Sequence, residues 1–241
     1  MTPVLAVQNL QVSLAKRPIV CGVSFEAPAG QWFGLLGANG SGKTTLLRAL
    51  NGRLPIDGGS VRLGGAEIAQ DTRARAGRIG FAPPPDALPA ELTAGQLLDL
   101  LGRMRSTNPR QPAHIYEALG VAALEKIAVW RMSAGMRQRV AVFTAFIGAP
   151  AVVLLDEPFN WLDPVAAHDL KLMLAEWVAA GGALIAALHD IATFATRCDL
   201  GLLIHDGQVA RAFDADEMAA GRGDVLGFEE TVYQTFKAAG R

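Results

Sequence analysis

Residues 37–44 read GANGSGKT. The stretch fits G-x-x-x-x-G-K-[ST] at every fixed position. Its surroundings are those the pattern needs: an apolar run, QWFGLL, before it and a leucine-bearing helical run, TTLLRALN, after it. Glycines let the backbone wrap closely, so that successive N–H groups point at phosphate oxygens. A helix starting near Lys43 adds the positive end of its dipole. Gly37, Ala38, Asn39, Gly40, Ser41, Gly42, Lys43, Thr44 and Thr45 are therefore the candidate nucleotide-binding residues. Lys43 can reach the β and γ phosphates, and the Thr44 hydroxyl can ligate Mg2+.

A second part of the same site is expected far along the chain. AVVLLDEP (151–158) is a continuous apolar run ending in Asp156 and Glu157. Such runs mark strands buried on both faces of a parallel sheet, and ligands bind at the carboxyl ends of these strands. Asp156 is suited to hold Mg2+ through water, and Glu157 to polarise the attacking water. A third run, ALIAAL, ends at His189, which the same geometry sets beside the γ-phosphate.

The bulk of the sequence excludes several classes. Lys and Arg number 22 against 23 Asp and Glu, so no basic stripe points to nucleic acid. The longest apolar runs fall far short of the roughly 20 residues of a spanning helix. The opening MTPVLAVQNL has no basic segment followed by an apolar one, so no signal peptide is expected. Cys21 and Cys198 lack metal-ligand spacing and read as buried thiols of a reducing compartment.

Between the first two motifs lies MSAGMRQRV (132–140). It resembles the signature segment of ATP-binding-cassette (ABC) proteins, usually LSGGQ followed by basic and glutamine residues. Ser133, Gly135, Arg137, Gln138 and Arg139 match; Ala134 and Met136 depart from the commonest form. Ser133 is suited to cap a helix whose face is Met136, Val140, Phe143 and Ile147, stopped by Gly148 and Pro150. The resemblance continues with FNWLDP (159–164), which matches the D-loop through Asp163, and with His189 as the switch histidine. It covers nearly the whole chain in the family's order. It implies an α/β fold: a P-loop NTPase core with an N-terminal antiparallel β subdomain and an inserted α-helical subdomain at about 85–150, all within one unit of residues 1–241. It also implies an ATPase using ATP and Mg2+, with Glu157 and His189 catalytic. Two copies, or this chain and a similar cassette, would close over ATP, Ser133 and Gly135 of one facing the phosphate loop of the other. Separate transmembrane permease subunits would anchor the chain as a cytoplasmic protein, peripheral on the inner face of the cell membrane. The single short cassette with an SxGM signature looks more like an ABC-2 type exporter than an importer. A soluble, non-transport ABC ATPase is the competing class.

The remaining segments are read for organisation. Residues from Val4 to about Phe33 alternate, with turns at KRP and PAG, and VRLGGAEI adds a strand; these suggest the antiparallel portion. Thr93 and Gln96 form a capping box before a helix with Leu97, Leu98, Leu101 and Met104 on its apolar face. Asp163 caps a helix with Pro164 at its first position. That helix carries Ala166, Leu170, Met173, Leu174 and Trp177 on one face and ends at Gly181-Gly182. Asp206-Gly207 reads as a hairpin turn and GFEETVYQTFKAAG as a last helix.

Three further positions depart from the family pattern. RIGFAPP (78–84) occupies the place of the Q-loop; Pro83 matches, but Pro84 stands where a Gln or Glu is usual. Pro84 has no polar side chain and no N–H, so it acts either as a stiff, extended hinge or as a plain strand cap. Leu14 stands where an aromatic usually stacks on adenine, and Trp32 is an aromatic whose place the sequence does not fix. Trp161 stands at a D-loop position that is generally small, and either meets a second subunit or fills a core gap.

Overall fold

The computed structural model describes residues 4–239. The first three residues, on which the reading of the N-terminus partly rests, lie outside the described residues, as do Gly240, the end of the expected last helix, and Arg241.

Two sheets form. The first is antiparallel, in the order β2-β1-β4-β5, from β1 (Leu5–Leu14), β2 (Arg17–Ala27), β4 (Gly58–Leu63) and β5 (Ala66–Glu67). The second has six strands in the order β10-β9-β3-β8-β7-β6: β3 (Trp32–Leu36), β6 (Ile79–Phe81), β7 (Val152–Asp156), β8 (Ala183–Leu188), β9 (Leu200–His205) and β10 (Gln208–Phe213). Its pairs are parallel except β9 with β10, which close a hairpin at Asp206 and Gly207. Both turn residues have positive φ, 46° and 76°, as a two-residue hairpin turn with the twist of its strands requires. The antiparallel stretch ends sooner than the sequence suggests. Trp32 and Phe33 already belong to β3 of the parallel sheet.

The parallel strands are buried on both faces, which is why they read as unbroken apolar runs. Side chains alternate between two cores. Phe33, Leu35, Val152, Leu154, Ile185 and Ala187 face the antiparallel sheet and the helix α1 (Lys43–Leu50), with Leu46, Leu47 and Leu50. Trp32, Leu36, Val153, Leu155, Leu184 and Leu188 face the other way. There they meet α6 (Pro164–Ala179), α7 (Ile191–Arg197) and α9 (Val225–Ala239) through Leu170, Met173, Phe194, Phe228 and Val232. The expected last helix is α9, and a helix that the sequence reading lacks, α8 (Ala215–Gly223), precedes it.

Between β6 and β7 the chain is helical: α3 (Ala94–Arg105), α4 (Ala113–Ala118) and α5 (Ala134–Thr144), after a further helix, α2 (Thr72–Arg78), that leads into β6. The capping box of Thr93 and Gln96 is formed. Leu97 packs on Leu124 and Val129 in a small third core. That core ends before Met104, which is 74% exposed instead of lying on the apolar face. Val140, Phe143 and Ile147 are fully buried, but α5 stops at Thr144, one turn before Ile147. Cys198 is buried, which raises its thiol pKa well above the ordinary value. Cys21, on an antiparallel-sheet strand, is only half-buried. Among the described residues no helix is long and apolar enough to cross a membrane.

Candidate active site

The strand order brings the motifs to one edge. β3, β8, β7 and β6 are consecutive neighbours and run parallel, so the chain leaves all four at the same end of the sheet. From β3 comes the glycine-rich loop, from β8 His189, from β7 Asp156 and Glu157, and from β6 the segment with Pro83 and Pro84.

The loop opens into a cleft of about 430 Å3 lined by Asn39, Gly40, Ser41, Gly42, Lys43, Thr44 and Thr45, with Leu14, Ile19 and Glu157. Gly42 has φ +106°, and a Cβ there would strike the Ile19 carbonyl oxygen at 2.9 Å, so only glycine serves. Lys43 Nζ donates to the carbonyls of Gly37 at 2.6 Å and Ala38 at 3.1 Å. An ammonium has three donors, so one is left for a ligand. Burial lowers the Lys43 pKa, against the Glu157 and Asp156 carboxylates, which raise it. Ser41 Oγ is buried without a hydrogen-bond partner among the described residues. An orphaned hydroxyl beside a helix N-terminus, a lysine and a threonine is the donor set a nucleotide polyphosphate takes.

Asp156 lies at the end of β7, and burial raises its pKa. The Thr44 hydroxyl and the Lys43 ammonium favour the charged form and act in the opposite direction. A partly buried carboxylate with a threonine near it suits a hard divalent cation such as Mg2+. Glu157 takes a left-handed backbone, φ +47°, and its N–H donates to Ala187 O of β8 at 3.0 Å. Glu157 Oε2 accepts from Asn160 Nδ2 at 2.5 Å and lies 3.5 Å from His189 Nδ1. His189 is 55% exposed. Thus Lys43, Thr44, Asp156, Glu157 and His189 converge, as do the loop residues and Leu14.

Ser133, Gly135 and Asp163 lie elsewhere. They line a separate cleft of about 390 Å3 with Met136, Arg139, Trp161 and Ala166, and neither Ser133 nor Gly135 lines a cleft that holds the glycine-rich loop. Ser133 caps α5, its Oγ accepting from Met136 N at 3.2 Å. Asp163 caps α6, accepting from the N–H groups of Val165 and Ala166. Gly135 packs so closely on the D-loop that a Cβ would meet Trp161 O at 2.8 Å. Trp161 is 69% exposed with φ +67°, so it fills no core gap. Trp32 is the reverse case: it is buried beneath β3 against Phe159 and cannot meet a base.

A third cleft, of about 510 Å3, joins Thr44, Asp156 and Glu157 to Pro84, Pro85 and Gln138. Pro84 is extended, φ −54° and ψ 140°, but a tight 3-10 turn at Pro85–Ala87 follows at once, so the stiff segment is short. Gln138 is buried and donates to Pro158 O at 2.9 Å, tying α5 to the loop after Glu157. Gln138 and Asn160 both lie in motifs quoted for their match, but spacing alone does not reveal their contacts.

Known proteins share this chain's family and fold. The profile of the family described as ABC transporter matches residues 20–160. The chain is 34% identical over 215 residues to Nod factor export ATP-binding protein I of Ralstonia nicotianae, covering 86% of this chain and 66% of that relative. It is 30% identical over 212 residues to the ABC-type transporter ATP-binding protein EcsA of Bacillus subtilis, covering 85% of each. Among solved structures, the ATP-binding subunit of an ABC transporter superposes with a TM-score of 0.83 at 25% identity, over 95% of this chain and 98% of that one. The fold is the P-loop α/β fold expected from the sequence. The chain belongs to the ABC transporter family: it is an ATP-binding cassette, the ATPase module of a transporter.

Proposed function

We propose that this cassette hydrolyses ATP between two subunits to drive export through separate membrane subunits. The observation that carries the two-subunit reading is the separation of the clefts. Neither Ser133 nor Gly135 lines the phosphate-loop cleft, and the cleft they do line holds neither the loop nor the acid pair. Each cleft is half of a site, and a second copy, or a similar cassette, supplies the missing half to both. The export direction rests on the likeness to a Nod factor export protein. The helical segment at about 85–150 is the part assigned to the membrane subunits. They would hold the chain against the inner face of the membrane.

In this reading the loop amides and Lys43 bind the phosphates. Thr44 directly and Asp156 through water would hold Mg2+, which would supply charge neutralisation to the phosphates. Glu157 accepts a proton from the water that attacks the γ-phosphorus. The bond from that phosphorus to the bridging oxygen breaks, and ADP and phosphate leave. His189 donates a hydrogen bond to the γ-phosphate. ATP favours the closed pair and hydrolysis releases it, a ligand-biased two-state element.

The test is Glu157→Gln. Nucleotide binding should persist, turnover should fall ~100-fold or more, and ATP should now hold a dimer on size-exclusion chromatography. Hydrolysis at the wild-type rate would remove Glu157 from its role.

A further inference from the structure

We propose that Asn160 is a positioning residue for hydrolysis, its side-chain amide fixing which carboxylate oxygen of Glu157 is held and which is left for water; this rests on the reading of Glu157 as the base. The backbone sets the geometry first. Glu157 is pinned at a left-handed φ of +47° by its N–H to Ala187 O. Its side chain is long, and a free glutamate spreads over many rotamers. Asn160 removes that freedom. Its own N–H donates to Glu157 O at 3.2 Å, closing the turn, and from that anchored position its Nδ2 donates to Glu157 Oε2 at 2.5 Å.

His189 Nδ1 approaches the same oxygen, at 3.5 Å. This contact is longer and comes from a more exposed side chain, so Asn160 is the principal restraint. Oε1 has no hydrogen bond among the described residues. The carboxylate therefore has one oxygen committed to the protein and one open. Glu157 lines both the phosphate-loop cleft and the larger cleft beside it, whereas Asn160 lines only the larger one. The restraint thus acts from within the larger cleft, where Thr44, Pro84 and Gln138 also lie. A base held in one orientation avoids part of the entropic cost of reaching the geometry of attack. Asn supplies this better than Asp would, because the amide donates where a carboxylate only accepts.

The experiment uses the full chain and two variants. Asn160→Asp keeps the shape and loses the donor; Asn160→Ala removes the group. Both should lower kcat about tenfold, the scale of one charge-assisted hydrogen bond, while KM for ATP stays within about twofold. A matching cycle is run with Glu157→Gln. In single-turnover measurements the residual rate of Glu157→Gln should not fall further when Asn160→Ala is added, because there is no longer a base to position. A folding defect would instead lower both backgrounds alike and raise KM. Wild-type kcat in Asn160→Asp, or losses that multiply in the double variant, would overturn the proposal. Neither result touches the reading of Glu157, which fails only if Glu157→Gln alone keeps its turnover.

Discussion

Leu14 and Ile19 wall the phosphate-loop cleft with branched hydrocarbon, and neither offers a ring face or a hydrogen-bonding group to a base. With Trp32 buried under β3, no aromatic of that pair of positions remains to stack. ATP and GTP should therefore differ by less than about tenfold in kcat/KM, under ~1.4 kcal/mol. Steady-state rates with the two nucleotides check this; a larger preference would mean that another group reads the base. At this scale the sequence is legible where chemistry needs a residue type at a fixed offset from a strand end. Lys43, Thr44, Asp156, Glu157 and His189 are all found that way. It is not legible where a contact depends on a rotamer. Asn160 meets Glu157 only because that turn starts from a positive φ, and no periodicity records it. Nor does composition tell that Trp161 and Met104 point outward while Trp32 points in.

Within the helical segment one arginine bridges two carboxylates. Arg110 Nε donates to Glu125 Oε1 at 2.6 Å, and a guanidinium N–H donates to Asp99 Oδ1, on α3, at 2.9 Å. Tyr116, on α4, donates its hydroxyl to the same Glu125 oxygen at 2.6 Å. The Arg110 hydrogen bond holds the Glu125 carboxyl below its ordinary pKa. Burial, then the Glu125 contact, pushes the Tyr116 phenol up to about 12. A carboxylate with a depressed folded pKa adds stability above its unfolded pKa and loses it as pH falls through the folded value. Arg110→Met should thus lower stability by about 1 kcal/mol at neutral pH, about 2–4 °C in Tm. The difference from wild type should shrink as pH falls below about 4.3, the ordinary glutamate value. Melting curves at neutral and acid pH decide it; a difference that grows in acid would assign the clamp no role. Sequence reasoning finds α3, α5 and α6 because apolar spacing and caps agree, and α1 because it follows the glycine-rich loop. It misses α2, whose buried side chain is Arg75, donating to the carbonyl of Ala49 near the end of α1. A helix that buries a cation has no apolar stripe to read, though a guanidinium there suits the negative end of α1. It also misses α8, although the capping box of Asp214 and Glu217 is present in the sequence as a signal.

At the scale of the molecule, the proposed shared site is divided between two clefts of one chain. Parallel strands buried on both faces fix one edge, and that edge carries the phosphate loop and the acid pair. Ser133 and Gly135, at the start of α5, line a cleft without the phosphate loop, and Gly135 packs against the D-loop of the same chain. This whole-molecule claim is tested most directly by mixing two inactive variants, Lys43→Ala and Ser133→Arg. Each homodimer has both of its sites broken. In a mixed dimer, the Ser133→Arg copy brings a sound phosphate loop and the Lys43→Ala copy a sound signature, so one complete site returns. An equimolar mixture should regain ATP hydrolysis, up to about a quarter of the wild-type rate, with neither variant active alone. A mixture as inactive as its components would contradict the claim, as would Ser133→Arg hydrolysing ATP at the wild-type rate by itself.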